Sequence, residues 1–268
     1  MQILLSAAIA AGVAWAAFRA RALDRSGALA AAVVGTTILE FGGWPWALLL
    51  ITFFATSSAL TRLLVSRKRG LEDSSVRGAG RDAGQVLGNG LLPAMLALAH
   101  GLGVDARWTW PPFAAALAAV NADTWATELG ALAVRAPRLI TRPPRSVPRG
   151  TSGGVTMEGF VAAGLGAGSI GALAAVLAWR VGSPPVPLQA IIIASSGFAG
   201  CLLDSILGAT VQVMYYCPTH QRETEKHPLH TCGTPTERVR GIRWLDNNVV
   251  NFSCAAFGAV LGFVFGAV

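Results

Sequence analysis

The sequence predicts an all-α membrane protein: a polytopic helix bundle of about eight transmembrane spans forming a single domain over residues 1–268. Three observations carry that expectation. Of 268 residues, 53% are hydrophobic and only 13% are charged, whereas a soluble domain carries about 25% charged residues. The apolar residues arrive in blocks close to the ~20 needed to cross a ~30 Å hydrocarbon core, and they are apolar all round instead of on one face. Lys and Arg, finally, cluster in alternate loops, as the positive-inside rule requires.

Spans are expected at about residues 2–18, 28–42, 44–61, 86–104, 110–134, 155–179, 186–214 and 245–267. In the first block, Ile3 to Phe18, the arginines (Arg19, Arg21, Arg25) follow the apolar stretch instead of preceding it. That order reads as a retained helix and not a signal peptide. The second span is short and carries Glu40, so it is expected to be tilted, broken or partly inserted. The fifth and seventh are long and interrupted by polar residues, which makes broken or re-entrant helices an open expectation. Of 21 Lys and Arg, three lie in 19–27, six in 62–85, five in 135–154 and five in 215–244, leaving Arg107 and Arg180 for the loops between. Eight spans with both termini outside a cell membrane place the rich loops, and with them the active face, in the cytoplasm. The formal charge of +7 is then topological, and no nucleic-acid partner is expected. Four scattered cysteines make no disulfide framework.

Polar residues inside spans are costly and point to function. The fifth span reads NADTWATELG over its polar part. Asn121, Thr124 and Glu128 share one face at 3.6 residues per turn, with Asp123 well around the cylinder. Either Asp123 faces another wall of a cavity or the helix unwinds locally; a polar clamp between helices is the structural alternative. In the seventh span Gly200, Asp204, Gly208 and Gln212 follow at steps of four, and small-residue packing accounts for the glycines but not the acid. Span eight opens with Asp246, Asn247, Asn248 and Asn251; capping explains the first two. Span four opens with Gln85 and Asn89. Given the expected topology, all these groups converge on the cytoplasmic end.

The loop before span six reads RSVPRGTSGGVTMEG. Glycines let backbone approach a ligand, and amides at a helix N-terminus bind anions. Arg149, Gly150, Thr151, Ser152, Gly153 and Gly154, with Arg145 nearby, form a candidate phosphate cradle; a flexible linker is the plain alternative. Arg77 and Arg81 of the preceding basic loop would form a second wall, or anchor the loop to anionic lipid. Asp123, Glu128 and Asp204 are candidate Mg²⁺ ligands, since hard carboxylate oxygens suit that ion. In the last loop Cys217, His220, His230 and Cys232 offer a Cys2His2 set for a structural Zn²⁺ in a small insert; a polar loop with incidental Cys and His is the alternative.

At NADTWATELG, PRGTSGGVT, LLDSILGATVQ and DNNVVNF the chain resembles an integral membrane family, defined as a domain of unknown function, that includes the plant phytyl-phosphate kinase of the tocopherol pathway. The resemblance runs from about residue 25 to the C-terminus. It implies a membrane kinase that moves a phosphoryl group from a nucleoside triphosphate, often CTP, to a prenyl monophosphate. It places Gln85, Asn89, Asn121, Asp123, Thr124, Glu128, Gly150, Thr151, Gly153, Gly154, Asp204, Gln212, Asn248 and Asn251 in the family's motifs. Asn121 joins the three acids as a candidate catalytic residue, and the others are candidate phosphate and substrate binders. Where bacterial members carry Cys-x-x-Cys, this chain has Cys217 and His220. Expected partners are therefore a nucleoside triphosphate, a prenyl monophosphate and membrane lipid. A transporter or a non-catalytic lipid-binding protein is the competing class; a transporter would carry polar groups across the whole bilayer, yet the outer half of these spans is almost purely apolar.

Overall fold

A computed structural model describes residues 2–68, 80–183 and 188–266; the expected phosphate contact Arg77 lies outside them. Eight helices follow in order among these residues: α1 (Gln2–Arg19), α2 (Arg25–Gly42), α3 (Trp44–Lys68), α4 (Ala83–Gly101), α5 (Ala106–Gly130), α6 (Met157–Leu177), α7 (Gln189–Thr210) and α8 (Asn247–Gly266). Five of them are long and apolar enough to cross a membrane: α1, α3 (Trp44–Leu64), α6 with the 3-10 turn that follows it, α7 and α8.

α5 explains why apolarity alone undercounts the bundle. It packs against α3, α4, α6, α7 and α8, and its residues Thr109 to Ala122 are all buried. A helix solvated by neighbouring helices instead of lipid can carry Trp, Pro, Asn, Asp and Glu, because protein groups meet its polar atoms. Small residues let the neighbours close on it. A Cβ on Gly197 would lie 2.5 Å from the Ala118 side chain, and one on Gly262 would lie 2.6 Å from that of Ala115. α1 stands at the periphery and packs on α2.

The structure decides alternatives left open for three spans and moves one boundary. The second span is unbroken over 18 residues, started by Asp24, which accepts from Gly27 N at 2.7 Å and from the Ser26 hydroxyl at 2.8 Å. These bonds hold the Asp24 carboxyl below its usual range. The fifth span begins and ends about four residues earlier than expected, because Asp105 caps it through Arg107 N at 2.9 Å. Neither it nor α7 is interrupted: each runs as one continuous helix past its acids.

The fold is mostly helical, with two small sheets in the longer loops. β1 (Arg138–Leu139), β2 (Arg142–Ser146) and β3 (Gly154–Val155) form one, in the order β2-β1-β3. β4 (Met214–Cys217), β5 (Arg222–Thr224) and β6 (Glu237–Arg240) form the other, in the order β5-β4-β6, all antiparallel. Both sheets sit at the bundle end that holds the N-termini of α2, α4, α6 and α8 and the C-termini of α1, α3, α5 and α7. The opposite end is closed by an aromatic cluster in which Trp46, Trp110 and Phe113 are fully buried and His100 stacks on Trp46 with ring centres 5.0 Å apart.

Candidate active site

Between the two sheets and the helix ends lies a cavity of about 980 Å³. Asp123 and Glu128 reach it from α5, Asp204 from α7, and Gln85, Asn89 and Asn251 from α4 and α8; Thr124 and Arg81 also line it. The whole Arg149–Gly154 loop lines it, as does Arg145.

Asp123 faces the α7 side, so the first of the two sequence alternatives holds: it occupies another wall of the cavity on a continuous helix. Asp123, Asp204 and Glu225, the last from the segment after β5, lie near enough to repel one another. Asp204 Oδ2 is buried without a hydrogen-bond partner among the described residues. Three carboxylates gathered around one cavity offer the oxygen donors that a hard cation such as Mg²⁺ takes. Glu128 accepts from Thr61 of α3 at 3.0 Å and lies in the field of the Arg81 guanidinium.

Several expected residues stand elsewhere or do something else. Asn121 does not line the cavity: it is fully buried, accepting from Thr56 and Ser57 of α3 and donating to Gly166 O of α6 at 2.8 Å. It is the polar clamp, because its face of α5 meets two helices at that depth. Asn248 is packed against α4, where a Cβ on Gly84 would meet its amide nitrogen at 2.5 Å. Gln212 stands behind the wall, accepting from Ser152 at 2.8 Å and donating to Glu225 at 2.9 Å. Gln85 forms a capping box with Asp82. Arg149 donates to Ala131 O and Val134 O at 3.2 and 3.0 Å, closing off the end of α5 instead of presenting its full fork to a ligand.

The glycine loop is a built wall and not a linker. Gly150 and Gly153 have φ of +82° and +77°, which side chains rarely adopt. Thr151 N bonds Pro148 O, and Gly154 N bonds Thr151 O. Thr156 caps α6 through Gly159 N at 3.0 Å. The loop rests on α7: a Cβ on Gly208 would meet Ser152 Oγ at 2.5 Å, and one on Gly153 would lie 2.5 Å from Ala209 N. The expected stripe on α7 is therefore a seam. Gly200 packs toward α8, Asp204 faces the cavity, Gly208 seats the loop and Gln212 braces it.

Sequence reading missed Glu225, Lys226, Arg222, Arg62 and Asn247, all of which line the cavity. Asn247 was legible as a polar helix start. Glu225 carried no signal, since only the β4–β5 hairpin folds its loop back over the helices.

The last loop also gathers Cys217, His220, His230 and Cys232, whose ligand atoms all lie within 4.8 Å of one another. A hydrogen bond with Thr234 first, then one with His230, brings the Cys232 thiol down to about 6.

The family described as integral membrane protein DUF92 matches over residues 8–259. The chain is 31% identical to Protein PGR of Arabidopsis thaliana, over 94% of this chain and 91% of that protein. It is 31% identical to an uncharacterized membrane protein of Methanocaldococcus jannaschii, over 71% of this chain and 75% of that one. A third relative, an uncharacterized membrane protein of a Synechocystis species, is 32% identical over 67% and 68%. No solved structure matches.

Proposed function

The chain belongs to the integral membrane family DUF92, and from that premise we propose that it is a prenyl-phosphate kinase, using a nucleoside triphosphate such as CTP. The observation that carries this reading is the cavity itself, lined both by the carboxylates Asp123, Asp204 and Glu225 and by a built glycine loop with the cations Arg62, Arg81, Arg145, Arg222 and Lys226. Acids without cations would suit a metal alone, and cations without acids a free anion. Both together suit a metal–nucleotide complex.

Asp123, Asp204 and Glu225 are the residues that would hold Mg²⁺, which neutralises phosphate charge and orients the triphosphate when bound. The cations and the loop position both phosphates. An oxygen of the prenyl monophosphate attacks the γ-phosphorus; the new P–O bond forms as the bridging β–γ P–O bond breaks. The electron pair leaves on the nucleoside diphosphate. The attacking oxygen is already ionised at neutral pH, so no side chain needs to act as a base. Catalysis is then positioning and charge stabilisation.

Phe160, Ala163, Cys201 and Leu202 give the cavity an apolar edge between α6 and α7, where a prenyl tail would run toward lipid. The closed aromatic end of the bundle favours a one-sided site over a transport path. On the charge distribution we place the cavity at the cytoplasmic face of a cell membrane, with both termini outside.

The test is a purified-protein assay of phytyl, geranylgeranyl and farnesyl monophosphate with each nucleoside triphosphate and Mg²⁺. Formation of a prenyl diphosphate is the expected result. Failure of every pair, with the protein folded, would refute the reading.

A further inference from the structure

The segment between α7 and α8 is tied down at its base. Val213 N bonds Leu245 O at 2.9 Å, Ile242 N bonds Val211 O at 2.9 Å, and Arg240 reaches Gly208 O at 3.0 Å and Glu223 at 3.0 Å. Its outer part has little apolar surface to bury, and Leu229 there is exposed. An insert of this size has too little apolar surface to hold one shape unaided, and small domains of this kind commonly rely on a metal.

Two tight turns face each other at that outer end. Cys217, the last residue of β4, is three residues before His220, and Gln221 beyond it has φ +50°. In the opposing turn His230 N bonds Thr234 O at 2.9 Å and Gly233 N bonds His230 O at 2.8 Å; Thr219 and Thr234 join the turns at 2.8 Å. The separations are Cys217 Sγ to Cys232 Sγ 3.8 Å, Cys217 Sγ to His220 Nδ1 3.7 Å and His230 Nδ1 to Cys232 Sγ 3.2 Å. Two thiolates on a tetrahedral zinc at Zn–S ≈ 2.3 Å stand about 3.8 Å apart. Four candidate ligand atoms from two turns thus lie within 4.8 Å of one another, close enough for one tetrahedral ion to reach them all.

We propose that Cys217, His220, His230 and Cys232 bind one structural zinc ion, and that this ion clasps the insert so that its β5 side holds Glu225 and Lys226 over the cavity. Four protein ligands leave no position for water or substrate, so the ion takes no part in chemistry. Glu225 lies between the two anchors: the clasp at the outer end and the Gln212 bond at 2.9 Å on the inner side. The zinc stands on its own geometry; its link to turnover rests on the kinase reading.

The experiment is metal analysis of the full chain, purified in detergent through a tag free of histidine and cysteine. About one zinc per chain is expected, and none in Cys217→Ser/Cys232→Ser. Should that variant fail to fold, His220→Cys serves instead, and it should retain zinc. Removing zinc with a chelator should speed tryptic cleavage at Arg222 and Lys226 about tenfold, because the loop then opens locally. Folded wild-type protein without zinc, or with a Cys217–Cys232 disulfide, would overturn the site. Unchanged cleavage after zinc removal would overturn the clasp. Glu225→Gln should keep its zinc and lose turnover; zinc with normal turnover would refute the positioning role. A zinc-loaded wild type that turns over no prenyl phosphate would instead count against the kinase reading alone.

Discussion

Gly153→Ala, set against Gly150→Ala, separates backbone strain from displacement of the glycine loop. The two glycines have nearly the same left-handed φ, +77° and +82°. Each alanine should therefore lose about 1–2 kcal/mol to that conformation, or roughly 2–4 °C of Tm per kcal/mol for a chain near this size. The surroundings differ. A Cβ at 150 meets nothing within 4 Å, whereas one at 153 lies 2.5 Å from Ala209 N. Ordinary contact begins near 3.5 Å, so the loop must retreat from α7 by about 1 Å. A misplacement of that size can lower turnover about 100-fold. Gly150→Ala should thus cost a few degrees and leave turnover within about twofold, a shift of ~0.4 kcal/mol in barrier. Gly153→Ala should lose about as much stability or more, and most of its activity. Thermal unfolding in detergent and initial rates of prenyl diphosphate formation measure the two effects separately. Equal turnover losses in both variants, or none at 153, would show that the seat on Ala209 does not position the phosphates.

The remaining predictions address the acids, the clamp and the topology. Asp123→Asn and Asp204→Asn keep shape but remove metal-binding charge, so turnover should fall by about 10²–10³ with Tm near wild type; near-normal rates would sink the Mg²⁺ assignment. Asn121→Ala should behave oppositely, losing about 1–3 kcal/mol because the buried Ser57 hydroxyl loses its acceptor and the links from α5 to α3 and α6 are broken. Its KM for nucleotide should stay unchanged, and a raised KM with intact stability would return Asn121 to the site. A cysteine replacing Pro143 should resist an impermeant thiol reagent in intact cells while one at Val104 labels; the reverse pattern would place the cavity outside.

Much of this molecule is local in origin and therefore readable from the chain. Blocks of apolar residues and the loop distribution of arginines announce the membrane class, because the cost of a charge in hydrocarbon acts on each segment separately. Asp123, Asp204 and Asn251 were legible for the same reason. What a polar residue does with its neighbours was not. Asn121 and Asp123 are two positions apart, yet one is a clamp and the other lines the cavity, because only packing decides which helix each face of α5 meets. Glu225 had no signal at all, since a hairpin brings it back over helices distant in sequence. The glycines at 150–154 announced an unusual backbone, but its seat on Gly208 and Ala209 is a property of two elements together. The two Cys/His pairs are each local, and their meeting is tertiary. Composition and spacing determined what chemistry this chain carries; long-range packing decided which groups share a cavity, because proximity between distant segments is set by the whole fold and not by any one of them.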